Sequence, residues 1–435
     1  MTSSVAPPAD AVAGPPMTAR SFRIGLFVIT AAGAVWRLAY LAVAKFDAPL
    51  LLNDSLYFSM QAGRNSEGDW FREGLSSLPG AEHGPLTSLW LTPWSLGAGS
   101  GIDWQRLGTT VLGIATVAVI GLAGRRLAGP VVGLVAAGVA AVYPNLWIND
   151  SLVMSETLAC LLVSLALLVA LGMGDRPAPG RAVLLGAIVG LGCLTRSELG
   201  LLAVGFAAVA WWRGAGAPRR AVAPALVLAG CALTVAPWVA YNLVQFDRPV
   251  LLTTNDGTTL LGANCDSTYY RDIGGWDIRC LAPVPNEDDV DASVRSGLRR
   301  DVAVDYVRDH LPRVPVVVLA RLGRTLDVYG LSSLVALDRG EEKAPGIVWL
   351  GIVCWWLLAV AAIAGWRVLG RRPTAARQRW WLAVPVLAVL VTTILFYGAH
   401  RIRAPAEPAV VLLAAAGLVA AWGRIRRGAC ETRRP

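Results

Sequence analysis

Ten apolar segments recur along the chain, near residues 22–44, 107–124, 127–143, 152–173, 181–195, 198–212, 221–244, 345–366, 380–397 and 405–423. A helix of about 20 residues crosses the hydrocarbon of a bilayer. There, every backbone polar group must be satisfied within the protein, which leaves helices or a closed barrel. Segments this long, with no period-two alternation, read as helices. Only 16% of the 435 residues are charged and 55% are apolar, against about 25% charged in soluble domains. A soluble chain could not hide that much apolar surface. The expected class is an all-α polytopic membrane protein.

Short arginine-rich stretches fix an orientation. Arg20 and Arg23 precede the first segment and Arg125 and Arg126 follow the second. Further along come Arg176 and Arg181, then Arg213, Arg219 and Arg220, then residues 367–379 and 424–434. The alternate gap 144–151 has no Lys or Arg. Loops held in the cytoplasm carry this excess. Ten spans with both termini cytoplasmic satisfy the alternation, and an odd number breaks it. The first segment could be a signal peptide ending at Ala42-Val43-Ala44, but signal cores run about 7–15 residues. Its length, with Trp36 and Arg37 inside it, favours an uncleaved span.

The net charge of +9 comes almost wholly from arginine, Lys45 and Lys343 being the only lysines. No basic patch interleaved with aromatics appears, which sets nucleic acid aside. The arginine bias is that of a GC-rich bacterial genome, so the expected location is the bacterial plasma membrane.

The expected organisation is a disordered cytoplasmic tail at 1–19 and an N-terminal transmembrane module at 20–244 with an external loop at 45–105. A small external domain at 245–344 follows, then C-terminal transmembrane helices at 345–423 and a basic cytoplasmic tail at 424–435. The first external loop reads as short helices lying in the interface. Residues 314–336 are apolar but interrupted by Arg321, Arg324 and Asp327. Each such charge costs roughly 2.5–3.5 kcal/mol at a bilayer centre, so the piece reads as an interfacial or domain helix. Most of the seventeen tryptophans lie near span ends, as in an aromatic belt. Of seven cysteines, Cys265 and Cys280 share one polar loop. On an oxidising side a disulfide between them is favoured.

Polar residues gather at the outer ends of the spans: Asp54, Glu82, His83, Asp150, Glu156, Arg196, Glu198, Asn242, His400, Arg401, Arg403 and Glu407. Charges at this depth face a cavity or each other. Together they suggest a site for an anionic, partly apolar substrate. Asp54 is either a helix N-cap or a base that takes a proton from an acceptor. Glu82 and His83 suit a divalent ion or a phosphate, or an ordinary exposed turn. Glu156 opens a span, where a carboxylate also complements the helix dipole. Arg196 could pair with Glu198, although near neighbours on a helix face apart, or grip a lipid-linked phosphate. Arg401 and Arg403 could do the same or snorkel to headgroups. Arg37, deeper, is either functional or a structural pair.

The order of these features resembles the GT-C superfamily of polytopic glycosyltransferases, which includes protein mannosyltransferases and the aminoarabinose transferase of lipid A. The resemblance runs from about residue 22 to 423. Asn53-Asp54-Ser55-Leu56-Tyr57 stands where family members place a catalytic Asp. Glu82-His83-Gly84-Pro85-Leu86 is similar to a Glu-preceded Lys-Pro-Pro-Leu motif, with His for Lys and Gly for the first Pro. Tyr143-Pro144 through Ser155-Glu156-Thr157, then Gly190 to Arg196, then Pro237-Trp238 with Tyr241-Asn242, follow the family's order. Tyr397-Gly398-Ala399-His400-Arg401-Ile402-Arg403-Ala404-Pro405 resembles its Arg-Tyr-Arg-x-Pro segment.

The resemblance implies transfer of a sugar from a polyprenyl-phosphate donor to an external glycan, lipid or protein acceptor, with inversion. Asp54 would be the base. Tyr57, Glu82, His83, Glu156, Arg196, Asn242, Arg401 and Arg403 would contact substrate. No cofactor is required by the residues, a divalent ion at Glu82 and His83 remaining open. Membrane lipid is the other expected partner. A flippase or transporter is the alternative enzyme-free reading, and a membrane scaffold a third. Transporters favour internal repeats and midplane sites, neither of which is evident.

Overall fold

The computed structural model describes residues 17–431, apart from 52–53, 75, 77, 97–100, 175–177, 217–218 and 287–289. Most of the expected N-terminal tail, together with Asn53 and Arg176, lies outside the described residues. Every one of the ten apolar segments is helical. Among the described residues, six helices are long and apolar enough to cross a membrane: Ala19–Lys45, Ile102–Ala128, Val222–Gln245, Pro345–Gly370, Ala375–Leu395 and His400–Arg426. Three shorter apolar helices, Pro130–Val142, Glu156–Leu171 and Pro179–Thr195, lie among them. A further short helix, Leu201–Arg213, follows Pro179–Thr195. No strand occurs among the described residues, and the one isolated bridge joins Arg72 and Pro79. The chain is thus an all-α polytopic membrane protein.

Local chemistry explains the breaks. Pro130, Pro179, Pro345 and Pro373 each stand in the first turn of a helix, where the missing N–H costs nothing. Gly129, at φ +97°, separates Ile102–Ala128 from Pro130–Val142 and lets the chain reverse. The longest helices pack through small residues. A Cβ on Gly365 would stand 1.9 Å from the Leu413 carbonyl, and one on Gly417 2.1 Å from that of Ala361. Close backbone approach of this kind replaces the hydrophobic drive that lipid abolishes.

The first helix carries Arg37, only 2% exposed. Its Nε donates to Asp150 Oδ2 at 2.6 Å, and its Nη groups donate to the Ala140 and Ala141 carbonyls. Asp150 therefore serves this structural pair. Residues 314–336 divide into Val314–Thr325 and the start of Leu331–Gly340, broken at Asp327 with φ +56°. Twelve residues reach about 18 Å, short of the roughly 30 Å hydrocarbon. Arg321 and Arg324 turn inward, to the carbonyls of Ala263, Ile394 and Gly398 and to Asp272. Cys265 and Cys280 form a disulfide within the segment that packs Asp256–Gly262 against Ala292–Asp309.

Candidate active site

Five short pieces of chain converge at one end of the helix bundle. Asp54 opens helix Asp54–Ser66. His83 lies in the turn before helix Pro85–Leu91, Glu156 opens Glu156–Leu171, and Arg196 stands between Pro179–Thr195 and a short 3-10 turn. Arg401 lies in the turn His400–Arg403 that leads into the last helix.

The turn bearing His83 is pinned from several sides. A Cβ on Gly84 would stand 2.3 Å from the Leu194 carbonyl, so this backbone crossing admits only glycine. That explains the glycine in the motif. Ala81 accepts from the Thr254 N–H at 2.8 Å. The Tyr57 and Phe58 rings flank the imidazole at 5.1 and 5.0 Å. Tyr57 also accepts from Gln61 Nε2 at 2.9 Å. Asn242 is fully buried, and Trp238 Nε1 and Asn242 Nδ2 both donate to the Leu252 carbonyl. It steadies the start of the 245–344 segment behind this turn.

Arg401 is the hub. Its Nη2 donates to Asp54 Oδ2, and its Nε donates to Glu156 Oε1 at 3.1 Å. Its Nη1 lies 3.3 Å from Glu341 Oε1. Glu156 Oε1 also accepts from Arg196 Nη1 at 2.8 Å, and Arg196 Nε donates to Glu198 Oε1 at 2.7 Å. The sequence left an Arg196–Glu198 pair open, near neighbours on a helix facing apart. The pair forms because Arg196 is extended, at φ −144° and ψ 118°, so the helix breaks there and both side chains turn to one side. Asp54 spends its carboxylate on Arg401 and His83, whose Nε2 is 3.5 Å from Asp54 Oδ1. Burial by itself would raise the Asp54 carboxyl, but Arg401 and His83 outweigh it and hold the group well below the usual carboxylate range. His83 moves the other way: burial would lower its imidazole, and the facing Asp54 raises it overall.

Behind Arg401 lies a second layer of charge. Glu341 Oε2 and Asp338 Oδ1 accept from Lys343 Nζ at 2.9 and 2.8 Å. Asp338 Oδ2 meets His400 Nδ1, and His400 Nε2 lies 2.6 Å from Asp327 Oδ1. Both imidazole nitrogens thus face carboxylates, an arrangement that suits the doubly protonated ring. Arg403 Nη1 donates to Asp327 Oδ2 at 2.7 Å and its Nε to Glu407 Oε1 at 2.8 Å. Only 1% exposed, Arg403 belongs to this inner layer.

Sequence reasoning missed Asp327, Asp338, Glu341 and Lys343 as members of this layer and gave His400 no role. One signal was present: Lys343 is one of two lysines in a chain that otherwise uses arginine.

The divalent ion raised for Glu82 and His83 does not fit the residues. Glu82 is exposed while His83 turns to Asp54. No group of three or more His, Cys, Asp or Glu side chains among the described residues could hold a metal. The positive charge between Asp54 and Glu156 is the Arg401 guanidinium itself.

Residues 83–241 match the family of dolichyl-phosphate-mannose-protein mannosyltransferases. The matched stretch takes in Glu156 and Arg196 but neither Asp54 nor Arg401. No curated protein matches the chain. The fold is similar to that of the archaeal oligosaccharyltransferase AglB from Archaeoglobus fulgidus, solved with an inhibitory peptide and a dolichol-phosphate. The two are 13% identical with a TM-score of 0.56, over 95% of this chain and 52% of AglB. The apo form of the Archaeoglobus fulgidus oligosaccharyltransferase gives 12% identity and a TM-score of 0.55, over 92% and 50%. ArnT from Cupriavidus metallidurans bound to undecaprenyl phosphate is 15% identical with a TM-score of 0.44, over 95% of this chain and 80% of ArnT. The chain spans about half the length of the oligosaccharyltransferases it matches.

Proposed function

We propose that the chain, whose fold is similar to that of the archaeal oligosaccharyltransferases, is a GT-C glycosyltransferase that moves a sugar from a polyprenyl-phosphate donor to an acceptor hydroxyl or amine. One observation carries the reading: a single guanidinium, Arg401, joins the Asp54 carboxylate to Glu156 and, through it, to Arg196. In a site for phosphate departure, cations must meet the charge that develops on the leaving group. Arg401 and Arg196 are such cations, and a base stands in direct contact with one of them. The membrane lipids that dissolve a polyprenyl chain, and the family match over residues 83–241, support a lipid-linked donor.

The step is a single displacement. The acceptor O–H or N–H gives its proton to Asp54 as the acceptor atom bonds to the anomeric carbon. The bond from that carbon to phosphate oxygen breaks, its electron pair leaves with the polyprenyl phosphate, and the anomeric configuration inverts. In the resting site Arg401 holds Asp54 ionised but weakly basic. A donor phosphate competes for Arg401 as a bidentate anion. Once Arg401 turns toward phosphate, Asp54 loses its cation and gains basicity when the acceptor needs it. His83, Tyr57 and Glu82 line the acceptor side. The loop 45–105 and the 245–344 domain then lie outside a bacterial plasma membrane, with both termini cytoplasmic.

The test is transfer of labelled sugar from a panel of polyprenyl-phosphate donors by purified, reconstituted wild type and Asp54→Asn. Loss of transfer by about 10²-fold or more in a variant that still folds supports the base. Transfer that survives the substitution refutes the role of Asp54, and retained movement of the lipid-linked sugar without any transfer refutes the enzyme.

A further inference from the structure

Arg321, Arg324 and Asp327 argued against placing residues 314–336 in hydrocarbon, yet none of the three faces outward. Along Val314–Thr325 the residues Val317, Ala320, Arg321 and Arg324 are buried. This inner face is tightly held: a Cβ on Gly274 would stand 2.6 Å from the Arg321 nitrogen, and one on Gly398 2.2 Å from its carbonyl oxygen. Asp327, past the helix end, is fully buried against His400 and Arg403. The opposite face is apolar. Pro312, Pro315, Val316 and Leu319 follow helical spacing and are exposed, as on the outer stripe of an amphipathic helix. Leu326, Val328 and Tyr329 carry the stripe round the end of the helix. Leu319 and Val328 are 69 and 71% exposed, and no charged residue between 314 and 329 is exposed.

The end of this helix gives a second, independent sign. The last carbonyls of a helix have no partner in its own turns, and at a wet surface water takes them. Here the protein takes each one. The Leu322, Gly323 and Arg324 carbonyls accept from the N–H groups of Leu326, Val328 and Asp327. The Thr325 carbonyl accepts from Arg403 Nη1 at 2.8 Å. Those of Leu326 and Asp327 accept from the indoles of Trp355 and Trp356 at 3.0 and 2.9 Å. Irregular backbone survives at membrane depth only when its polar groups are satisfied within the protein. The stripe is also continuous with the faces of two spans. Arg321 Nη1 donates to the Ile394 carbonyl at 3.0 Å, and Trp356 reaches Asp327. Ile394, Leu395, Trp356 and Leu357 are themselves exposed, on helices long and apolar enough to cross a membrane.

We propose that Val314–Thr325 and the turn Leu326–Tyr329 form a half-membrane element, inserted beside Pro345–Gly370 and Pro373–Leu395 into the leaflet on the Asp54 side, with lipid acyl chains covering the stripe. Twelve helical residues span about 18 Å, close to one leaflet of a hydrocarbon roughly 30 Å thick. The element anchors the 245–344 segment in the bilayer and carries Asp327 in beside His400 and Arg403. It does not depend on the transferase reading.

The test uses the full chain in vesicles of phosphatidylethanolamine and phosphatidylglycerol. Hydroxyl-radical footprinting of the wild type reads which side chains water reaches. Leu298, 44% exposed on the charged helix Ala292–Asp309, is the reference. Leu319 is the more exposed of the two leucines within the protein, so only an outside cover can protect it. The expected result is oxidation of Leu298 with loss of most oxidation at Leu319, Val328 and Tyr329. Oxidation of Leu319 as fast as that of Leu298 overturns the proposal. The occupant is read by photo-crosslinking, with p-benzoylphenylalanine in place of Leu319, of Val328 or of Arg308, whose side chain is 70% exposed. Phospholipid adducts are expected at the first two positions and not at the third. Equal lipid adducts at all three, or adducts to a second copy of the chain in place of lipid, overturn acyl chains as the cover. The footprint needs no substitution, so it decides the insertion even where a crosslinking variant does not fold.

Discussion

Replacing Lys343 by methionine tests the inner charge layer directly. Its ammonium reaches Asp338 at 2.8 Å and Glu341 at 2.9 Å, and the three side chains are 4, 5 and 7% exposed. Methionine has similar length and no charge, so the cavity changes little while two buried carboxylates lose their shared cation. Removing one partner of a buried pair typically costs about 3–5 kcal/mol, because a charge is left unpaired. Adding Glu341→Gln to Lys343→Met removes one of the orphaned charges and should recover about 1–2 kcal/mol. Lys343→Arg should recover only part, since a planar fork does not reproduce a compact ammonium between two oxygens. The assay is denaturant unfolding in mixed micelles, followed by tryptophan fluorescence. The pH dependence adds a second check. Burial would lower the Lys343 ammonium, but Asp338 and Glu341 hold it above its ordinary value. Burial would raise Asp338, but Lys343 and His400 hold it below its ordinary value. A raised cation stabilises fully below about pH 10 and less above it, and a depressed carboxylate fully above about pH 4 and less below it. The advantage of wild type over Lys343→Met should therefore be flat from about pH 5 to 9 and shrink in acid. A loss under about 1 kcal/mol, or a difference that grows as pH falls, refutes the reasoning.

Arg401→Lys should cut transfer by about 10²-fold, since a point charge cannot join Asp54, Glu156 and Glu341 at once; activity within threefold of wild type would remove Arg401 from the hub. Gly84→Ala forces a methyl onto the Leu194 carbonyl and should destabilise the folded chain by about 1–3 kcal/mol, read as a lower unfolding midpoint; an unchanged midpoint means the crossing relaxes freely. Replacing Cys265 and Cys280 by serine opens a crosslink between residues 15 apart in sequence and should cost about 3 kcal/mol by chain entropy, read as protease sensitivity confined to residues 245–344; unchanged cleavage would contradict it.

The bundle was legible because spacing and hydropathy are local signals. The arginines that alternate between segments, and the prolines and Gly129 that separate them, are read residue by residue. Asp54, Glu156, Arg196 and Arg401 were each legible as charges at one end, but their joining was not. Asp54 and Arg401 stand 347 residues apart in the sequence, and no local pattern encodes a contact of that range. The Arg196–Glu198 pair stayed open in the sequence because helical spacing does not apply across a point where the helix breaks. Lys343 and Asp338 sit in a segment whose polarity looked like that of any exposed loop, and Asp327 read only as a charge interrupting the apolar stretch 314–336. Only the packing shows that Asp327 is fully buried and Asp338 4% exposed.

The turn Glu341-Glu342-Lys343 has a consequence for how the protein is made. Glu341 meets Arg401 and Lys343 meets Asp338, while Glu342 accepts from Arg106 at 2.7 Å and from the Leu51 N–H at 3.2 Å. Until the ribosome has delivered this turn and then Arg401, the carboxylates of Asp54 and Glu156 stand at the membrane surface without their common partner. Pieces synthesised later therefore lock earlier ones. A nascent chain stalled before residue 401 holds Asp54 beside His83 and Glu156 on Arg196, but lacks the guanidinium that joins the two pairs into one site.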